Sequence, residues 1–200
     1  MERFQKKAIL QDLQKKMVLL AGPRQAGKTT LAKKIANEFP SFTYLNYDRL
    51  EDRKIFLKEE WLPSVELLIF DEIHKMPKWK AYLKGVYDTK PPSQKILVTG
   101  SARLEVFKQV GDSLAGRYFL HRLMPLSPAE CEKVHIEYTL DRFLERGGFP
   151  EPFLTQDLVD ANRWRLQYVD SLLREDVLDF ENIQNLNAIR LVFELLREKV

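Results

Sequence analysis

"MVLLAGPRQAGKTTLAKKIANEF" (17–39) decides the architecture. Met17, Val18, Leu19, Leu20 and Ala21 form an apolar run without alternation, which suits a buried strand. The last part of the stretch, from Gly27, reads as a helix that buries Leu31, Ile35 and Phe39 and stops at Pro40. Between strand and helix, Gly22, Gly27, Lys28 and Thr29 match the spacing G-x-x-x-x-G-K-[ST] in the context that gives the pattern meaning. Glycines there let the backbone curl so that successive N–H groups point inward, and the helix start adds about half a positive charge. Gly22, Pro23, Arg24, Gln25, Ala26, Gly27, Lys28, Thr29 and Thr30 are therefore expected to cradle the polyphosphate of a nucleotide. Lys28 can reach its β- and γ-phosphates, and the Thr29 hydroxyl can ligate Mg²⁺. Arg24 either contacts the nucleotide or braces the structure around it.

"ELLIFDEIHK" (66–75) supplies a second unbroken run, Leu67 to Phe70, ending in two carboxylates. Open α/β sheets place ligands at the carboxyl ends of their strands. Asp71 would hold Mg²⁺ there through its water shell, and Glu72 would orient and deprotonate an attacking water. An Asp-Glu pair supplies a base for water, which favours hydrolysis over transfer to a bound acceptor. His74 is expected to be a hydrogen-bonding loop histidine, since neither His121 nor His135 stands at metal-ligand spacing.

Further strands are expected at 42–48, 95–101 and 117–123, and helices at 4–16, 49–61, 78–88 and 104–110. In the first helix Phe4, Ala8, Ile9 and Leu13 share one face. Strands alternating with helices over about 30 residues per unit imply a mostly parallel, three-layer α/β sheet. The pattern changes at Pro125, so we expect a sheet domain over 1–125 and a helical region over 126–200. Its first helix should start at "SPAE" (127–130), with Ser127 as N-cap, Pro128 in the first turn and Glu130 closing a capping box. The longest helix is expected over 162–177. The amphipathic stretch 187–200 ends without a cap, which suggests a longer architecture.

"ILVTGSAR" (96–103) puts two hydroxyls at a strand end. Ser101 is the preferred γ-phosphate sensor and Thr99 the fallback; a structural turn at Gly100 is the alternative. Arg117 could offset the charge that develops on the γ-phosphoryl group, in its own chain or in a neighbouring copy of a homo-oligomer. A surface ion pair is the other role open to it.

The composition narrows the rest. With 44% hydrophobic and 30% charged residues, the 200-residue chain can form a real core and a charged surface. A net charge of +3 is too small to argue for nucleic acid by itself. One cysteine, Cys131, allows no disulfide framework and points to a reduced, cytoplasmic setting. The first sixteen residues lack the apolar core of a signal peptide, and no window approaches a membrane span.

Taken in order, "LLAGPRQAGKTTL", "LLIFDEIHKM", "ILVTGSA", "SLAGRYFLHRLMPLS" and "GGFP" resemble the AAA-type P-loop ATPases of the archaeal-ATPase-like group. The resemblance spans Val18 to Pro150. It implies a three-layer P-loop NTPase of the ASCE/AAA type with strand order 5-1-4-3-2. The phosphate-loop, Mg²⁺ and base roles above also follow from it, with Ser101 as a sensor. Many members are about twice as long and carry a C-terminal nuclease-like domain, which these 200 residues are not expected to include. Motor-type members also carry a lid arginine, for which Arg163, Arg165 and Arg174 are candidates. The leading expectation is Mg²⁺-dependent ATP hydrolysis. The alternatives are a slow nucleotide switch, presenting its helical region to a protein or nucleic-acid partner, and, less well supported, a kinase.

Overall fold

In the computed structural model, residues 2–101, 114–172 and 195 are described. The chain divides into two compact units, Met1–Tyr138 and Thr139–Val200. The expected helix at 104–110, Arg174 and, apart from Leu195, the stretch 187–200 lie outside the described residues.

Five parallel strands organise the first unit: β1 (Met17–Ala21), β2 (Phe42–Asn46), β3 (Leu67–Asp71), β4 (Lys95–Gly100) and β5 (Tyr118–Arg122). They lie in the order β2-β3-β4-β1-β5, the order 5-1-4-3-2 read from the other edge. This is the P-loop NTPase fold. β1 and β3 are buried along their whole length, as their unbroken apolar runs require. Alternate side chains feed two cores. Met17, Leu19, Leu68, Phe70, Ile96 and Val98 meet Phe56 of α3 (Leu50–Lys58) and Trp79 and Leu83 of α4 (Trp79–Thr89). Val18, Leu20, Leu67, Ile69 and Leu97 meet Ile9 and Leu13 of α1 (Lys6–Leu13) and Leu31 and Ile35 of α2 (Lys28–Ala36). The sheet is therefore the middle of three layers.

Three local expectations are corrected. Phe4 and Ala8 do not share the buried face of α1: the helix starts only at Lys6, Phe4 is 49% exposed, and Ala8 faces solvent. Strand β2 stops at Asn46 because its side-chain oxygen accepts the N–H of Asp48 at 2.8 Å, turning the chain. Ser127 does cap α5 (Pro128–Lys133), accepting the Glu130 N–H at 3.2 Å. The Glu130 carboxylate, however, does not return to close a capping box; it takes the guanidinium of Arg3.

The second unit holds α6 (Leu140–Arg146), α7 (Pro150–Leu154) and α8 (Leu158–Ser171). α8 starts before the expected 162 because Asp157 caps it, accepting the Val159 N–H at 2.8 Å. Phe149, Trp164 and Tyr168 form its aromatic centre, the last two stacked with rings 4.8 Å apart.

Candidate functional site

The parallel register builds the site. Asn46, Asp71, Thr99, Leu20 and His121 form one row across the sheet, and Gly100, Ala21 and Arg122 form part of the next. Residues that leave the strands just beyond these rows, Gly22, Glu72 and Ser101, are thereby gathered at the carboxyl edge.

Gly22 opens the phosphate loop at φ +156°, and a Cβ there would lie 2.1 Å from the Leu123 carbonyl oxygen. Leu123 cannot retreat easily, because its N–H donates to the Ala21 carbonyl at 2.8 Å. Close approach of two backbones, as well as loop curvature, demands this glycine. Gln25 and Gly27 take left-handed φ values of 59° and 93°, and Gly27 caps α2. Lys28 is buried, its ammonium donating to the carbonyls of Gly22 at 3.0 Å and Pro23 at 2.7 Å. Ala26 is fully buried, Arg24 and Pro23 are half-buried, and Gln25 and Thr30 are exposed.

The Asp71 carboxylate, 2% exposed, collects three hydroxyl groups. Thr29 donates to Oδ2 at 3.0 Å, Tyr44 to the same oxygen at 2.5 Å, and Thr99 to Oδ1. Burial first, and then the bond to Asp71, push the Tyr44 phenol well above its ordinary value, so it stays protonated and donates. Thr29 and Asp71 come from different elements, and their contact joins the phosphate loop to β3.

Glu72 leaves β3 with φ +57°, a conformation rare for a side chain with a Cβ and most often kept where a site needs it. The turn sends the chain into a short 3₁₀ helix, Ile73–Lys75. Glu72 Oε2 lies 3.6 Å from both His74 Nε2 and Lys75 Nζ. Burial raises the carboxyl above the ordinary glutamate value, opposed mainly by Lys75. His74 is a hydrogen-bonding histidine, as expected: Nε2 and Ser101 Oγ are 3.3 Å apart. Glu72, His74 and Ser101 therefore form one group, while Thr99 is engaged with Asp71.

Arg117 is not brought to this site. It precedes β5 at the amino edge of the sheet, opposite the phosphate loop, where its O accepts the Met17 N–H at 3.2 Å. Its guanidinium grips Asp88 at 2.8 and 3.0 Å, the surface ion pair that was the other role open to it. In the second unit Arg163 lies 3.6 Å from Asp160, and Arg165 donates to the Glu145 carbonyl.

The donor set suits Mg²⁺. The Thr29 hydroxyl and Asp71 carboxylate are hard oxygen ligands side by side, and Mg²⁺ on a nucleotide uses only one or two protein oxygens beside phosphate and water. Among the described residues no cluster of three or more His, Cys, Asp or Glu could form an all-protein cage. No described helix is long and apolar enough to cross a membrane.

Sequence reasoning missed Tyr44 and Arg3. Tyr44 stands two residues before the end of a strand adjacent to β3, a register that could have placed it beside the Asp71 row. Arg3 carried no local signal.

Comparison with known proteins agrees with this fold. The model of an AAA domain family matches residues 14–132, and that of a domain of unknown function matches residues 137–200. Uncharacterized proteins of Mycobacterium bovis and Mycobacterium tuberculosis are each 30% identical over 166 residues, covering 80% of this chain and 36% of theirs. An uncharacterized protein of Methanocaldococcus jannaschii is 25% identical, covering 95% of this chain and 49% of its own. The chain thus spans between about a third and a half of the length of these relatives. The Walker-type ATPase PABY2304 of Pyrococcus abyssi superposes with a TM-score of 0.55 over 90% of this chain and 75% of its own, at 15% identity. That likeness concerns the fold.

Proposed function

The chain belongs to the AAA domain family, as a P-loop protein of the archaeal-ATPase-like group, and from that premise we propose that it binds ATP with Mg²⁺ and hydrolyses it to ADP and phosphate. The contact between Thr29 and Asp71 at 3.0 Å carries the proposal. It joins the end of an anion-binding loop to a buried carboxylate, with Glu72 next in the chain. Backbone N–H groups from Gly22 to Thr30 bind the phosphates, and the Lys28 ammonium neutralises their charge. Thr29 and Asp71 would hold Mg²⁺, which when bound spreads the negative charge of the phosphates. Glu72 accepts a proton from water as the water oxygen bonds to the γ-phosphorus. The bond from that phosphorus to the β,γ-bridging oxygen breaks, and ADP leaves. Ser101 orients the water or γ-phosphate, held in place by His74. The raised pKa of Glu72 makes it a stronger base than a solvated carboxylate.

Single-chain catalysis as proposed does not use Arg117. The helical region after the sheet is where a protein or nucleic-acid partner would respond to the nucleotide, and the single buried Cys131 favours a reduced, cytoplasmic setting.

Steady-state ATPase and equilibrium binding of wild type and Glu72→Gln test the reading. The variant should bind MgATP as wild type does and lose about 10²- to 10⁴-fold in turnover, the range of general-base catalysis. Equal turnover in the two proteins would remove Glu72 as the base. Wild-type turnover far below ~1 s⁻¹ with ADP retained through purification would assign the slow switch instead.

A further inference from the structure

Arg3 is 4% exposed yet carries a full charge, and every arm of its guanidinium is used. Nε donates to Glu130 Oε1 at 2.6 Å, and Nη2 to Oε2 at 3.0 Å, a two-point grip on a carboxylate that is itself 2% exposed. Nη2 also donates to the Met124 carbonyl at 2.5 Å, and Nη1 to the Ala26 carbonyl at 2.7 Å. One side chain thus joins the phosphate loop, the segment after β5, and helix α5. Buried charges persist only when paired and bonded in this way.

The bond to Ala26 bears on phosphate binding. A peptide unit is planar and trans, so the carbonyl of Ala26 and the N–H of Gly27 point to opposite sides. With the oxygen drawn to Arg3, the N–H is turned away from it. Rotation of that peptide would exchange the N–H for a carbonyl oxygen, whose partial negative charge opposes a phosphate. Gly27, at φ +93° and without a Cβ, resists such rotation least of all residues. A Cβ built there would come 3.8 Å from Arg3 Nη1, so the guanidinium lies against this very peptide.

We propose that Arg3 is a positioning residue for phosphate binding: it holds the Ala26–Gly27 peptide with its N–H available to an anion, and Glu130 and Met124 hold Arg3. The inference rests on the nucleotide-binding reading above. It goes further in tying the loop's anion-binding state to the helix that follows the sheet.

Binding of the fluorescent triphosphate mant-ATP with Mg²⁺ to the full chain, together with thermal unfolding, tests it. Arg3→Met leaves Glu130 buried and unpaired and should lower Tm. Adding Glu130→Met replaces the ion pair by apolar side chains and should restore Tm. Affinity should remain about tenfold or more weaker in the double variant, because the Ala26 carbonyl is still unheld. A double variant that regains both Tm and wild-type affinity overturns the inference, for Arg3 is then only structural. If Arg3→Met does not fold, Arg3→Lys gives the same decision. Its single ammonium cannot span Glu130 and Ala26 together, so weaker affinity in its folded fraction supports the role and unchanged affinity overturns it. Wild type without affinity for mant-ATP overturns the nucleotide reading and this inference together. Wild-type binding with unchanged variants overturns this inference alone.

Discussion

Replacing Gly22 by alanine tests the backbone packing behind the phosphate loop. The new Cβ would start 2.1 Å from the Leu123 oxygen, 3.1 Å from its carbonyl carbon and 3.4 Å from its nitrogen. Backbone rather than a flexible side-chain tip stands in the way. Leu123 is fully buried and anchored through its N–H to Ala21. Relief requires the loop to lift off β1 or the end of β5 to separate from it, and either movement loses a ladder bond and core packing. We expect a loss of about 3–5 kcal/mol, the range of overpacking combined with a broken buried contact. Gly27→Ala is the internal control. Its nearest neighbour would be 3.8 Å away, so only the left-handed φ of 93° opposes it, at about 1–2 kcal/mol. Urea unfolding followed by tryptophan fluorescence measures both. In a Trp164→Phe background the remaining Trp61 and Trp79 pack against the sheet core and report on it. With an m value of about 2 kcal/mol/M, the Gly22 variant should unfold roughly 0.5–2 M earlier than the Gly27 variant. Midpoints that coincide, or a Gly27 variant that is the weaker of the two, would refute the close approach at Leu123.

Three further outcomes follow from the placement of charges. Arg117→Ala should leave ATP turnover unchanged at every protein concentration, since its guanidinium grips Asp88 at the far edge of the sheet; a concentration-dependent loss would instead restore it as a residue supplied to a neighbouring copy. Glu72, raised by burial, should give the acid limb of kcat/KM a midpoint above the ordinary glutamate value of 4.5. The same shift has a stability consequence: the neutral carboxyl suits the fold, and ionisation costs stability as pH rises through the raised folded value. Glu72→Gln should therefore have a higher Tm than wild type at neutral pH and no advantage below 4.5; an advantage that grows on acidification would contradict the shift.

What could be read from the sequence divides along the distance over which its causes act. The strand, loop and helix from Met17 to Ala36 follow from neighbouring residues: an apolar run, two glycines and a periodic face. The strand order came from the resemblance and proved right. That order makes β3 and β4 neighbours, and the register the structure adds puts Asp71 beside Thr99. Arg117 shows where this stops. Its identity and position in the chain were plain, but only the sheet direction tells that the start of β5 is the edge away from the phosphate loop. Glu130 shows the same limit more sharply. Its spacing from Ser127 satisfies a capping-box pattern, and its N–H does donate to Ser127 Oγ. The carboxylate had a stronger option in Arg3, 127 residues away, because a buried guanidinium must find a carboxylate and a solvated cap need not. Local patterns assign a polar side chain to the nearest acceptable partner, whereas burial assigns it to the partner whose loss would cost most. The second rule operates only once the chain is folded, and it is the one that links Arg3 to the Ala26 carbonyl.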